Sequence, residues 1–491
     1  MSRVLLVSTY ELGAQPLGLA WPAAELEAAG HEVRSVDLAV EAWPAADVAW
    51  AEAVAFSVPM HTALRIALAA IDRLRATRPE APVALYGLYA PVAAATGALR
   101  AGDLAVAGEV GATLAGWLSG KNPAKEPTAA VVVLGRARNG SGATGLAARR
   151  GDLPSLTAYA HLVTDDGTRL VGTVEASRGC NHRCRHCPVP VVYGGRSRAV
   201  PVDAVLADVD ALVAAGAGHV RFADPDFLNR PSQALAVARG LHAAHGHLTF
   251  DATIKVSHLL RQRDVVAELA GLGLIFVVSA FESTSDVVLR RLHKGHTAAD
   301  ASRAVVELRR CGVEIRPSFL PFTPWTNRQD LVDIVDFVAA HDLVENVDPV
   351  QYSMRLLIPP GSLLLDGDDP VLDRCLGDLD ADSLGYRWTA DDARLDELQV
   401  ALAERGEAAA ASAEPVEVTY AAVRQLVFDY LERQDAGRPE PAVAPGPAGY
   451  RPRLSEPWFC CAEPTRRQLA GIGVAPVAFV PCPSPTTPTS G

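Results

Sequence analysis

Short apolar runs alternate with helical stretches in two successive blocks, and this alternation limits the fold more than any other feature. In the first block, runs at residues 4–8, 33–38, 53–57, 83–86 and 104–107 read as strands. Between them, residues 17–29 form a helical stretch ended by Gly30 at the C-cap. Residues 61–77 carry Leu64, Ile66, Leu68, Ile71 and Leu74 at helical spacing. Such alternation predicts a doubly wound, Rossmann-like parallel sheet in an α/β chain. A second block opens near Gly172, with strands expected at 172–177, 219–223, 248–252, 274–280, 313–320 and 349–357. Val202, Val205, Leu206, Val209, Leu212 and Val213 form one apolar stripe between the first two, and Gly216 ends it. Six βα units are too few for a closed eightfold barrel and enough for an open, partial one.

The 491 residues exceed what one hydrophobic core organises, so several domains are expected. The plan is a Rossmann-like domain at 1–120, a connection at 121–168, a partial barrel at 169–366, a helical extension at 367–435 and a Pro-rich linker with a tail at 436–491. The net charge of −12 argues against a nucleic-acid partner, which needs a basic footprint to release counterions. The longest uncharged apolar stretch, residues 269–281, is about half a bilayer span and contains Gly271 and Gly273, so no membrane partner is expected. Met1-Ser2-Arg3 leads directly into a short apolar run unlike an export signal, and a cytoplasmic location is expected.

Eight cysteines in a chain of this length do not make a disulfide scaffold. Cys180, Cys184 and Cys187 cluster, Cys460 and Cys461 are adjacent, and Cys311, Cys375 and Cys482 stand alone. The spacing C-x3-C-x2-C puts three thiolates on one tight loop after an expected strand. They can hold three irons of a cubane and leave the fourth iron to an exogenous chelator. The alternative is a non-catalytic module, with a structural zinc completed by His182 or His186, although zinc sites usually add a second pair further along the chain.

C-x3-C-x2-C after the first strand of a six-unit βα chain resembles the radical S-adenosylmethionine (SAM) superfamily, with His186 where an aromatic residue is usual. Phe222-Ala223-Asp224-Pro225-Asp226-Phe227 is similar to the acidic turn that family places near the amino group of SAM. Phe281-Glu282-Ser283 is similar to its ribose-binding motif, continued by Leu292-His293-Lys294-Gly295-His296-Thr297. The resemblance implies an enzyme with a [4Fe-4S] cluster on Cys180, Cys184 and Cys187 and SAM at Asp224, Asp226, Glu282 and Ser283. It also implies an external electron donor of flavodoxin or ferredoxin type and reductive cleavage of SAM to a carbon radical that acts on a small molecule.

Two further strings carry resemblances. Gln15-Pro16-Leu17-Gly18-Leu19-Ala20, Ala28-Ala29-Gly30-His31-Glu32-Val33 and Gly108-Glu109 are similar to the domain preceding the barrel in cobalamin-dependent radical SAM enzymes. That resemblance implies a cobalamin site, and with it a cobalamin-dependent methyltransferase as an alternative function. Against cobalamin stand the missing Asp-x-His-x-x-Gly loop and the bulky Tyr86-Gly87-Leu88-Tyr89. Cys460-Cys461-Ala462-Glu463-Pro464 resembles the tail of the radical SAM group ending in CUAEP or CCAEP, whose first position is selenocysteine in some members. This implies soft-nucleophile or redox chemistry at Cys460 and Cys461. Another tailed group with vicinal cysteines forms carbon–arsenic bonds, and two thiolates suit a soft centre such as trivalent arsenic.

Overall fold

The structure is a computed structural model that describes residues 1–100, 102–120, 131–135 (backbone), 148–431, 451–456 and 458–471. The first domain is a parallel sheet of β1 (Arg3–Ser8), β2 (Glu32–Asp37), β3 (Ala53–Ser57), β4 (Val83–Tyr86), β5 (Leu104–Gly108) and β6 (Val131–Gly135), in the order β2-β1-β3-β4-β5-β6. The connections therefore reverse direction between β1 and β3, which makes the carboxyl ends of those two strands the topological switch point. Side chains alternate between two cores. Leu5, Val7, Val54, Phe56 and Leu85 pack with the helix His61–Thr77, while Val4, Leu6, Ala55, Tyr86 and Val106 pack with the helix Leu17–Ala28. Both faces are covered, so these strands read as unbroken apolar runs. The run at 131–134, expected within a connection, is instead the sixth strand and pairs in parallel with β5.

The second domain contains β7 (His161–Thr164), β8 (Gly167–Val174), β9 (Ser177–Gly179), β10 (Ser197–Ala199), β11 (His219–Phe222), β12 (Thr249–Thr253), β13 (Leu274–Glu282) and β14 (Glu314–Phe319). From β8 the main sheet runs in parallel through β11, β12, β13 and β14, the curled half of a barrel. The stretch 349–357 is not a strand. It forms the 3-10 helix Pro349–Ser353 and a single bridge between Phe322 and Arg355, because Pro349 has no N–H to give to extended pairing. At the other edge β7 pairs antiparallel with β8, a hairpin the apolar pattern did not signal.

The extension adds the hairpin β15 (Leu376–Asp380) and β16 (Gly385–Trp388) and two long helices, Ala393–Ser412 and Val416–Tyr430. After the linker, most of which lies outside the described residues, β17 (Arg453–Leu454) pairs antiparallel with β7 and extends the barrel sheet by one strand. Trp458 then packs against the cores of both domains. Cys482 also lies outside the described residues. Among the described residues no helix is long and apolar enough to cross a membrane.

Candidate functional site

The cysteine loop grows out of the exit of β8. β9 and β10 pair antiparallel, Gly179 opposite Ser197, and close the loop into a lip. Gly179 has φ +76°, and a Cβ there would lie 2.4 Å from the Arg196 carbonyl and 2.8 Å from the Tyr193 ring. Gly179→Ala is expected to displace the loop and to lower iron content after reconstitution, while circular dichroism stays near that of the parent chain. Full iron loading in this variant would show that the lip does not set the thiol geometry.

Asn181 fastens the loop on two sides. Its side chain donates to the Asn229 carbonyl (3.1 Å) and accepts from the Ser197 N–H (2.9 Å), and its own N–H donates to Asn229 Oδ1 (3.0 Å). On the far side the Arg185 N–H donates to the Leu292 carbonyl (3.0 Å), and its guanidinium holds the carbonyl of Asp366 (2.6 Å). Three free thiols thus converge on one loop. The His182 N–H points at Cys180 Sγ (3.5 Å), and Lys255 Nζ lies 3.7 Å from Cys184 Sγ. Burial pushes the Cys187 thiol up to about 12 and raises Cys180 as well. Thiols raised in this way are matched to a cation that would deprotonate them, and soft sulfur donors favour iron–sulfur chemistry.

Both histidines of the loop face carboxylates. His182 Nε2 lies 3.4 Å from Asp226 Oδ2 and 3.2 Å from His258 Nε2, while His258 Nδ1 meets the same Asp226 oxygen at 2.8 Å. His186 Nε2 lies 3.0 Å from Glu282 Oε1, which Lys294 Nζ also reaches at 3.0 Å. A [4Fe-4S] cluster on three cysteines needs its fourth iron left to exogenous SAM, and both loop histidines are engaged with carboxylates instead.

Glu282 ends β13 with φ +63°, unusual for a residue with a Cβ, at a register shift against β14. Burial works against its charge, but Lys294 and His186 outweigh it and hold the carboxyl well below the ordinary range. Both bonds land on Oε1. Asp224 has both oxygens engaged, accepting from the Ala176 N–H (2.8 Å) and the Ser177 hydroxyl (2.6 Å), and burial pushes it up to about 7. It ties the exit of β8 to that of β11. Asp226 is bound to His182 and His258, and the Ser283 hydroxyl accepts from the Ser285 N–H (3.0 Å). The sequence motifs did not single out Asn229, Lys255 or His258. They lie after β11 and β12 at the same rim, and only the parallel order of the strands brings them to the loop.

The rim of the barrel faces the carboxyl edge of the first sheet. Glu109, just beyond β5, pairs with Arg178 of β9 (2.9 Å) and Arg198 of β10 (3.3 Å). The tail enters between the two domains. Tyr10 donates to Glu456 (3.1 Å), and the Thr62 N–H meets the Cys460 carbonyl (3.4 Å). Cys460 and Cys461 have their sulfurs 3.5 Å apart. Cys461 is in electrostatic contact with Glu282 and Cys187, and Cys460 with Glu282.

The fold thus sets a half-barrel with a three-cysteine loop at its rim behind a doubly wound domain. The comparisons define it further: residues 174–338 match the radical SAM superfamily and residues 3–117 the B12 binding domain. The chain carries both domains, as cobalamin-dependent radical SAM enzymes do, and is an enzyme on that ground. Among curated relatives, the ribosomal protein uS12 methylthiotransferase RimO of Parabacteroides distasonis is 25% identical over 186 residues, 34% of this chain and 40% of the relative. The hopanoid C-2 methylase of Rhodopseudomonas palustris is 27% identical over 133 residues, 26% of this chain and 25% of the relative. The chain thus matches less than half the length of either. Among solved structures, the cobalamin-dependent SAM radical enzyme OxsB with aqua-cobalamin and SAM bound superposes with TM-score 0.62 at 13% identity, covering 88% of this chain and 72% of that one. The radical SAM methyltransferase TsrM of Kitasatospora setae gives TM-score 0.52 at 18% identity, covering 69% and 71%. At these identities the likeness is one of fold.

Cobalamin fits this chain poorly. Tyr86 is buried in the first-domain core and donates to the Gly18 carbonyl (2.8 Å), while Tyr89 is buried after β4. The carboxyl ends of β1 and β3 already hold Glu456 and Cys460.

Proposed function

We propose that the chain is a radical SAM enzyme acting on a small molecule, with Cys460 and Cys461 presenting a soft substrate, most specifically trivalent arsenic, at the barrel mouth. A [4Fe-4S] cluster on Cys180, Cys184 and Cys187 would pass one electron to the sulfonium of SAM and open a C–S bond to give a carbon radical. Glu282 would accept from the SAM ribose through Oε2, with Oε1 held by Lys294 and His186. Asp224 and Asp226 would position the cluster loop, and Ser283 would shape the turn beside the ribose. Lys255 and Lys294 would offset the negative charge of the thiolates, and an external flavodoxin- or ferredoxin-type protein would deliver the electron.

The observation that supports this reading is the course of the tail between the two domains, with the Cys460 carbonyl at the Thr62 N–H (3.4 Å), Trp458 packed against both cores and the two sulfurs 3.5 Å apart. Two thiolates match the ligand preference of a trivalent metalloid. The test is anaerobic turnover with dithionite, with and without arsenite, identifying SAM fragments by mass spectrometry. An arsenite-dependent organoarsenical that is lost in Cys460→Ser, Cys461→Ser is the expected result. Full turnover by that variant removes the tail from the chemistry. The second reading, a cobalamin-dependent methyltransferase, is favoured by the B12-domain match, and methylated product formed only with added cobalamin would establish it.

A further inference from the structure

The first domain belongs by sequence to a cofactor-binding family, yet its binding crevice is engaged by the chain itself. In a doubly wound sheet the ligand sits outside the carboxyl ends of the strands at the switch point, here the loops after β1 and β3. The tail lies across both. From β1, Tyr10 donates to Glu456, and a Cβ on Gly13 would lie 2.9 Å from the Glu456 Cβ. After β3, the helix His61–Thr77 begins with no side-chain cap of its own, and its orphan Thr62 N–H is taken by the Cys460 carbonyl. The Thr62 hydroxyl lies 2.6 Å from the Ala462 carbonyl.

The residues following the two cysteines explain the fit. Ala462 is buried in the barrel-side core while its carbonyl faces this helix start. Glu463 spreads its carboxylate over two basic side chains of the same helix, His61 Nε2 at Oε1 (2.9 Å) and Arg65 Nε at Oε2 (3.0 Å). Burial works against that carboxylate, but His61 and Arg65 outweigh it and hold it down at about 2. Trp458 closes the turn by donating from its indole to the Glu463 carbonyl (2.9 Å). Upstream, the Ser455 N–H donates to the His161 carbonyl (2.9 Å), beside the pairing of β17 with β7. The segment is therefore anchored to the barrel edge at one end and to the first domain at the other.

The thiols between these anchors face the space the cofactor would need. Tyr89 is buried on the first-domain side, and burial, then the charges of Cys461, Cys460 and Cys187, raise its phenol. The two tail sulfurs lie 3.5 Å apart, and this contact lowers Cys460 and raises Cys461.

We infer that the switch-point crevice of the first domain is a receptor for the chain's own Cys460–Glu463 segment, which stands where a corrin would lie, so that the full chain takes up no cobalamin. The inference rests on the B12-type assignment of the first domain, and iron and SAM binding on the same sample report on the radical SAM reading separately. The experiment incubates reconstituted full-length protein with aquacobalamin under anaerobic conditions, removes free corrin by gel filtration and reads the corrin absorbance. In parallel, iodoacetamide labelling of the tryptic peptide from Leu454 to Arg466 is timed in the parent chain, in Glu463→Gln and in Thr62→Val. The parent is expected to elute free of corrin, and both variants to label roughly tenfold faster, as loss of a charge-assisted or buried hydrogen bond frees the tail. Stoichiometric corrin in the parent overturns the inference. Unchanged labelling in both variants overturns it equally, because the contacts that define the receptor would then hold nothing.

Discussion

Alanine at Cys180, Cys184 or Cys187 is expected to abolish iron binding and SAM cleavage, whereas Cys311→Ala and Cys375→Ala should leave both near the parent level. The contrast follows from where the thiols lie. The three loop cysteines share one rim under Lys255 and Lys294. Cys311 caps the helix Ala298–Arg310 and packs against the barrel core, and Cys375 closes the helix Pro370–Cys375 with its sulfur 3.7 Å from Asp391. Those two behave as small apolar residues, and their truncation costs stability rather than chemistry. Iron content by colorimetric assay and 5′-deoxyadenosine by chromatography read the two effects apart. A triple alanine variant that kept a full iron complement would sink the cluster assignment.

Much of this architecture was legible in the residues, for a physical reason. Strands buried on both faces read as apolar runs, so 53–57 and 83–86 matched β3 and β4 to the residue. The same signal misled at 349–357, where Val350, Tyr352 and Met354 are buried around a 3-10 turn, because burial alone does not fix backbone period. Edge elements were invisible for the opposite reason. β7 and β17 come from segments 290 residues apart (453 against 163), and no local pattern announces a pairing across that distance. The three-cysteine spacing located the loop, yet the partners of its neighbours were not in any motif. His186, which replaces the usual aromatic residue, is bonded to Glu282, and His182 to Asp226. Those pairings depend on the strand order and on a left-handed residue at the end of β13.

Glu282→Gln is expected to damage the protein twice, and the two losses can be separated. In the folded chain Lys294 is almost fully buried and Glu282 Oε1 is its carboxylate partner, with His186 on the same oxygen. Removing the charge leaves the ammonium uncompensated out of water, which costs about 3–5 kcal/mol of stability when one member of a buried pair is lost. A second loss falls on SAM, whose ribose would surrender a charged acceptor worth on the order of 1.5–3 kcal/mol, about tenfold to 150-fold in affinity. Glu282→Gln combined with Lys294→Met removes the stranded cation as well, since an apolar side chain of similar length replaces the buried pair at little cost. Thermal unfolding of the double variant should therefore return most of the way to the parent. SAM affinity by anaerobic equilibrium dialysis should not return, because no carboxylate has been restored. Recovery of both together would make Glu282 a purely structural partner of Lys294, and recovery of neither would mean that the strained turn at the end of β13 needs the carboxylate to form.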